Sequence, residues 1–288
     1  GFIVDNYGKN VISGQVTDGG IDGAEFGAIK NISGKTPAML GVDFMRYTPS
    51  RVNRGDSDNS VEDAIEFWEA GGIVEFCWHW NAPDKYLKPG TDSDGNPTWY
   101  GGFYTANVNM DFSAIMDGQD QDGYNTLMSD IDAIAEQIQR LEDAGVSILF
   151  RPLHEASGGW FWWGSDGPEP YKELWITIYD KLTNEHGLDN IIWVCNGQDA
   201  DWYPGDEYVD IIGEDIYPGN HVYSPQSSKF LEAANYSDTN KVVAMTENGC
   251  LFDIDAAIES KTLWSWFCTW SGTYSAVSEA YTEREMWE

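Results

Sequence analysis

The sequence predicts an α/β protein built as one (β/α)8 barrel, the TIM-barrel architecture. Three observations carry that expectation. A short apolar run, a polar loop and a helical stretch recur along the chain. The 288 residues fit one large barrel, which often runs ~250 residues as one unit, or two ordinary domains. No shift in composition marks a boundary, so residues 1–288 read as one domain.

Eight strands are expected at Val11–Gln15, Ala38–Met45, Gly72–Trp80, Ser147–Glu155, Asn190–Gly197, Val209–Tyr217, Val242–Gly249 and Thr262–Trp270. The fourth to seventh hold compact β-rich runs such as Ile191-Ile192-Trp193-Val194 and Val242-Val243-Ala244-Met245. Such runs suit strands buried on both faces. A doubly wound open sheet is the alternative. No GxGxxG follows the first strand and no phosphate-binding loop pattern occurs, which counts against a nucleotide fold.

Helices are expected between the strands. Ser60–Ala70 carries Val61, Ala64, Ile65 and Trp68 at helical spacing. Tyr124–Ala144 carries Leu127, Ile131, Ile134, Ile138 and Leu141 as one apolar stripe, with Gly145 as its stop. A third helix is expected at Glu169–His186. Between Asn81 and Gly123 no regular element is evident. A loop that long is functional or disordered. Trp99, Tyr100, Phe103 and Tyr104 argue against disorder, so the loop is expected to wall a cleft. Within it, Asp92-Ser93-Asp94-Gly95 and Asp120-Gln121-Asp122-Gly123 are calcium-like. Both lack the first and last ligands of an EF-hand loop and read as solvated turns.

Composition narrows the function classes. With 16 basic and 48 acidic residues the net charge is −32, so a nucleic-acid partner and an anionic membrane surface are both disfavoured. No apolar run reaches ~18 residues, so no membrane span is expected. The absence of a leader segment and an initiator Met suggests a mature module excised from a larger secreted protein. A monomer is expected. The chain carries 14 Trp and 15 Tyr, a surplus that suits stacking against sugar rings. Cys77, Cys195, Cys250 and Cys268 lie in or beside expected strands. They read as buried free thiols, with a Cys250–Cys268 bridge as the alternative. No zinc spacing occurs and no cofactor or metal is called for.

Two glutamates stand at expected strand ends. Glu155 closes Ile148-Leu149-Phe150-Arg151-Pro152-Leu153-His154-Glu155, and Glu247 closes Val242-Val243-Ala244-Met245-Thr246-Glu247. A desolvated carboxylate is costly. For either one alone, an ion pair or a turn contact is the ordinary explanation. Together they lie about three barrel units apart, on the fourth and seventh strands, facing across the barrel mouth. Glycoside hydrolysis needs two carboxyl groups flanking one bond, about 5–5.5 Å apart in retaining enzymes.

Arg151-Pro152-Leu153-His154-Glu155, followed by Trp160-Phe161-Trp162-Trp163-Gly164, resembles the acid/base segment of glycoside hydrolase family 26. Its best-known members are β-1,4-mannanases. Ser13-Gly14-Gln15, Trp78-His79-Trp80-Asn81-Ala82-Pro83, Asp215-Ile216-Tyr217-Pro218 and Thr246-Glu247-Asn248-Gly249 follow in the family's order. The resemblance implies Glu155 as acid/base and Glu247 as nucleophile. It implies that His154 sets the site and that Trp160 lies near the scissile bond. Tyr217 would hydrogen-bond the nucleophile, His79 would bind sugar, and Trp270 would floor the sugar at the cleavage point. Trp80 and Trp163 join the expected sugar-binding set, with Arg151 and Asp215 as supports. The implied substrate is a β-mannan polysaccharide. Some family members place a basic residue after the last tryptophan; here Ser271-Gly272 follow Trp270.

Bland readings stand beside these. His79 and His154 read equally as satisfied barrel histidines, Tyr217 as core, and one of Trp162 and Trp163 as packing under a loop. Arg151 either fixes the carboxylates or pairs with Asp210 or Glu214. Two other classes compete: a metal-dependent hydrolase, with a thin ligand set, and a non-catalytic sugar-binding barrel. Within the enzyme reading, mixed-linkage β-glucan and β-1,3-xylan are the alternative substrates.

Overall fold

A strand buried on both faces needs an apolar side chain at nearly every position. Most of the eight strands meet that demand over part of their length, and the first, with the sequence ISGQV, meets it least. The computed structural model describes residues 1–288. Its strands are β1 Ile12–Val16, β2 Met39–Asp43, β3 Ile73–Trp78, β4 Ile148–Pro152, β5 Ile191–Cys195, β6 Ile211–Ile216, β7 Val242–Asn248 and β8 Trp266–Thr269. All pair in parallel in sequence order, and β8 closes onto β1, giving the expected (β/α)8 barrel. From β2 onward each strand ends a little before its expected limit, because pairing stops where the chain splays outward toward the mouth.

The helices are α1 Phe2–Asn6, α2 Ala24–Ser33, α3 Pro49–Val52, α4 Ser60–Glu69, α5 Phe112–Met116, α6 Gln121–Asp143, α7 Pro168–Tyr179, α8 Ser227–Ala233 and α9 Ile254–Ser260. The alternation is incomplete. Only a 3-10 turn, Ala200–Trp202, lies between β5 and β6, and only 3-10 turns follow β8. The third expected helix ends in a π segment, Asp180–Glu185. Asp120-Gln121-Asp122-Gly123 is a helix start, not a turn: Asp120 caps α6 by accepting from Gly123 N. Asp92 does close a turn, accepting from Asp94 N and Asn96 N.

Alternation along each strand sorts side chains to two cores. Outward, Val74, Phe76 and Trp78 of β3 and Ile148 and Phe150 of β4 join Leu127, Ile131, Ile134 and Ile138 of α6. Each such burial stabilises by roughly 1.5–3 kcal/mol. Inward, Leu149, Ala244, Trp266 and Cys268 fill the lower barrel. Above them the inward positions turn polar: Glu75, Arg151, Asp215 and Glu247 are all buried. That change from apolar floor to charged upper layer positions the site. All four cysteines are buried and unpaired, so no Cys250–Cys268 bridge forms.

The long segment after β3 is ordered by its own packing. Phe112, Ile115 and Met116 are buried in the main core. Phe103–Thr105 is stitched to the stretch after β4: Thr105 N donates to Trp160 O at 2.8 Å and Trp162 N to Phe103 O at 3.1 Å. The loop therefore braces the stretch that carries Glu155 and Trp160.

Candidate active site

The site begins with how β4 ends. Past Pro152 the chain leaves the sheet through Leu153 and Glu155, both left-handed at φ 51° and 54°. Left-handed backbone is costly for a branched or long side chain and collects at functional sites. The turn swings Glu155 over the barrel mouth. Glu155 N donates to Asn196 O at 2.8 Å, which holds the turn. Trp160 Nε1 then donates to Glu155 Oε2 at 2.9 Å. Its indole can fold back because residue 158 is glycine; a Cβ there would meet the ring at 2.1 Å. Burial, and then the charge of Glu247, push the Glu155 carboxyl up to about 7.

Glu247 differs. It stays within β7, and a register shift opposite Glu214 and Asp215 re-aims that stretch. Its Oε2 accepts from Arg151 Nη2 at 2.9 Å, and its Oε1 accepts from the Tyr217 hydroxyl. The Tyr217 ring lies against Gly249, where a Cβ would meet Cδ1 at 2.5 Å. Burial and Glu247 hold the Tyr217 hydroxyl well above the usual range, so it remains a donor. Single ligand atoms of Glu155, Asp215 and Glu247 all lie within 4.8 Å of one another.

Arg151 is the hub. Nε donates to Glu75 Oε1 at 2.9 Å, Nη1 to Asp215 Oδ2 at 2.5 Å and to Asn196 Oδ1 at 3.1 Å. It pairs with neither Asp210 nor Glu214. Asp210 Oδ2 instead accepts from Trp193 N, and Glu214 from Tyr236. These charge-assisted bonds hold Arg151 well above its ordinary range against burial. Asp215 takes a second donor, Thr246 Oγ1 at 2.7 Å.

A second chain of polar groups runs along the other wall. His79 Nδ1 lies 2.5 Å from Asp43 Oδ2, and His79 Nε2 lies 3.2 Å from His154 Nε2. Burial disfavours the His79 cation, but Asp43 more than offsets this and raises its proton affinity. Burial and the His79 charge push His154 well below its usual value, which keeps it neutral. Asp43 is drawn down to about 2, burial being overcome by His79. Cys77 Sγ also donates to Asp43 at 3.2 Å. Asp43, Cys77 and His79 have metal-ligating atoms, as do Glu155, Asp215 and Glu247. In the first group those atoms bind one another; in the second Asp215 and Glu247 accept from Arg151 and Glu155 accepts from Trp160, so both read as hydrogen-bond networks.

The structure brings Glu155, Glu247, His79, His154, Arg151, Asp215, Trp160, Tyr217 and Trp270 together at the mouth. Trp160 and Tyr217 expose 47% and 42% of their surface, and the Trp270 ring centre lies 5.8 Å from that of His79. Two expected sugar-binding residues do not reach the cleft. Trp80 is fully buried, stacked on Trp78 at 4.1 Å, with Nε1 donating to Asp130. Trp163 is fully buried, stacked on Phe161, with Nε1 donating to the His154 carbonyl. Trp163 backs His154, and Trp80 packs against Trp162, whose Nε1 donates to Trp80 O. Ser271 and Gly272 place no basic group after Trp270; Gly272 N donates to Glu25 Oε1 at 3.3 Å.

Sequence reasoning passed over Glu75, Asp43 and Asn196. Each offered the signal used for the glutamates: a polar side chain inside or closing an apolar run. Tyr104 belongs to the site as well. It is 44% exposed, stacks on Phe161, and feels the charges of Glu155 and Glu247.

Comparison with known proteins bears on this geometry. The family model described as Glycosyl hydrolase family 26 matches residues 1–284. The chain belongs to that family. A mannan endo-1,4-beta-mannosidase from Thermothelomyces thermophilus is 44% identical over 270 residues, covering 93% of this chain and 53% of the relative. The crystal structure of a Podospora anserina GH26-CBM35 beta-(1,4)-mannanase superposes with a TM-score of 0.90 at 40% identity. It covers 99% of this chain and 62% of that one. A beta-mannanase from a symbiotic protist of the termite Reticulitermes speratus, complexed with gluco-manno-oligosaccharide, gives 0.83 at 34% identity. That match covers 99% of this chain and 88% of the other. The chain spans about half the length of the curated relatives it matches.

Proposed function

We propose that this protein is a retaining endo-β-1,4-mannanase that cleaves mannan, glucomannan and galactomannan by double displacement. The observation that carries the reading is the spacing of Glu155 and Glu247, with carboxylate oxygens within 4.8 Å. Retaining enzymes hold the pair about 5–5.5 Å apart; inverting ones need ~6.5–9.5 Å to admit a water. The names of the relatives, mannosidases and mannanases, support the substrate class.

In the first step Glu247 attacks the anomeric carbon while Glu155 gives its proton to the departing glycosidic oxygen. The bond breaks and a glycosyl ester forms on Glu247. In the second step Glu155 takes a proton from water, which attacks the same carbon and frees Glu247. The electrostatics suit both halves. Glu247 loses its charge on forming the ester, and that charge is one of the two causes holding the Glu155 carboxyl high. Glu155 thus becomes a stronger acid and exists as the base that deglycosylation requires. Tyr104, Trp160 and Trp270 would carry sugar rings on their faces, and His79 would meet a hydroxyl.

The reading extends to a monomer acting outside the cell, as one part of a longer secreted protein. No helix is long and apolar enough to cross a membrane, and a polymeric substrate must be met where it lies. The test is a panel of linear mannan, galactomannan, glucomannan, mixed-linkage glucan and xylans, with product sizes read by chromatography. Internal cleavage of mannans to short oligosaccharides is expected. Activity confined to mixed-linkage glucan or β-1,3-xylan would replace the substrate while leaving the mechanism.

A further inference from the structure

Glu75 takes no part in the reaction proposed above, yet its side chain is wired into it. It lies midway along β3 on the inner face of the barrel, 2% exposed. Its Oε1 accepts from Arg151 Nε at 2.9 Å and its Oε2 from Trp266 Nε1 at 3.0 Å. The same guanidinium donates Nη1 to Asp215 and Nη2 to Glu247. Three carboxylates from three strands therefore share one cation, each on a different nitrogen. A guanidinium is planar, with donors in fixed directions. Holding Nε sets the rotation of that plane, and with it where Nη2 points.

We infer that Glu75, braced by Trp266, is a positioning residue for hydrolysis: it orients Arg151 and draws part of its charge away from Glu247. The inference rests on the two-glutamate mechanism proposed above. A buried arginine needs compensation, and that alone would explain a carboxylate beside it. Asp215 and Glu247 already supply two, so Glu75 is a third on a cation that needs one. An arginine shared by only two would press more of its charge on Glu247 and weaken it as a nucleophile. Both neighbours of Glu75 donate, so the geometry accommodates its carboxylate and offers a protonated form no acceptor. Burial pushes the group up to about 7 against the pull of Arg151 and Trp266, so its charge is gained near neutrality.

The charged surroundings are defined. Glu75 faces Arg151 from β4, Glu247 from β7 and the Cys268 thiol from β8. Glu247 faces Arg151, Asp215, Tyr217 and Glu155, with His79 and Cys77 from the β3 side. Tyr104 and Tyr274 stand at its outer edge.

The test compares Glu75→Gln and Trp266→Phe with the unmutated protein. Glutamine keeps the shape, carries no charge and turns an amide N–H toward one of two donors. Phenylalanine keeps the charge and removes the donor to Oε2. For Glu75→Gln, turnover at neutral pH is expected to fall ~tenfold with KM within about twofold. The ratio of unmutated to variant kcat/KM should grow from about pH 5 to about pH 8, as only the unmutated protein gains a charge there. Trp266→Phe should show a smaller loss, with the unmutated-to-variant ratio changing at higher pH. Unchanged turnover and a flat ratio in both variants, with only a lowered melting temperature, would make Glu75 a plain counter-ion and overturn the inference. If the unmutated protein ignores mannans but cleaves another β-glycan, only the substrate reading fails, and the variants are compared on that glycan. Inactivity on every glycan overturns both.

Discussion

The ends of β4 and β7 look alike in sequence, each an apolar run closed by a glutamate, yet the fold gives the two carboxyls opposite surroundings. Glu247 remains in its strand, buried, with a guanidinium and a phenol each donating to one oxygen. Glu155 has left its strand on a left-handed turn and has one neutral donor, the Trp160 indole. One carboxyl is surrounded by groups that favour its charge. The other is desolvated beside a negative neighbour and held up to about 7. Identical side chains thus suit the proposed roles of nucleophile and acid because their surroundings differ.

The sharpest way to break this comparison is to remove each carboxyl in turn. Glu247→Ala leaves no nucleophile, and activity on every substrate should fall ~10⁴-fold or more, at least about 5.5 kcal/mol in the barrier. Glu155→Ala should still be loaded by an activated aryl glycoside and then stall. Azide, which needs no base, should rescue Glu155→Ala with a product of retained β-configuration. In Glu247→Ala it should enter the vacated face and give the α-azide. NMR of the products reads the difference, and an α-azide from Glu155→Ala would exchange the two roles.

Tyr217→Phe removes one of the two donors on Glu247. Turnover should fall ~10–100-fold. The phenol holds the Glu247 carboxylate in place, so kcat should fall with KM within about twofold. Unchanged turnover would separate Tyr217 from the reaction.

Trp160→Phe sharpens the other half. The indole N–H favours ionised Glu155, so its removal should raise that proton affinity further and move the alkaline limb of the kcat/KM profile to higher pH. An unmoved alkaline limb would separate Trp160 from the acid.

The smallest effect on activity is expected at Asp130, a buried carboxyl on α6 that accepts from Trp80 Nε1 and bonds none of the site's charged groups. Burial pushes it up to about 7, and no cation faces it. A carboxyl raised in the folded state favours folding below its unfolded value near 4 and loses that contribution as pH rises through about 7. Stability should therefore decline from mild acid to neutrality. Asp130→Asn should flatten that decline in thermal melts at several pH values, with kcat within about twofold.

Much of this was legible in the chain. Short apolar runs mark most of the buried strands because a parallel sheet covered on both faces favours apolar side chains. The stripe of α6 and the glutamates closing β4 and β7 follow from the same periodicity. Trp80 and Trp163 show where such reading stops: an indole beside a catalytic motif serves sugar or core equally well until its neighbours are known. Here Asp130 and the His154 carbonyl take their N–H groups, and the stacked rings of Trp78 and Phe161 take their faces.

The sequence by itself determined the strand order, the two carboxylates and the side of the barrel on which they meet. The motifs implied which carboxylate is the acid; only the tertiary structure decided the surroundings that suit each to its part. Trp160, five residues on, donates to Glu155, while Arg151 of β4 and Tyr217 after β6 donate to Glu247. Proton affinity is a property of surroundings, and the charge that helps hold Glu155 up belongs to Glu247, a residue remote along the chain that barrel closure brings beside it.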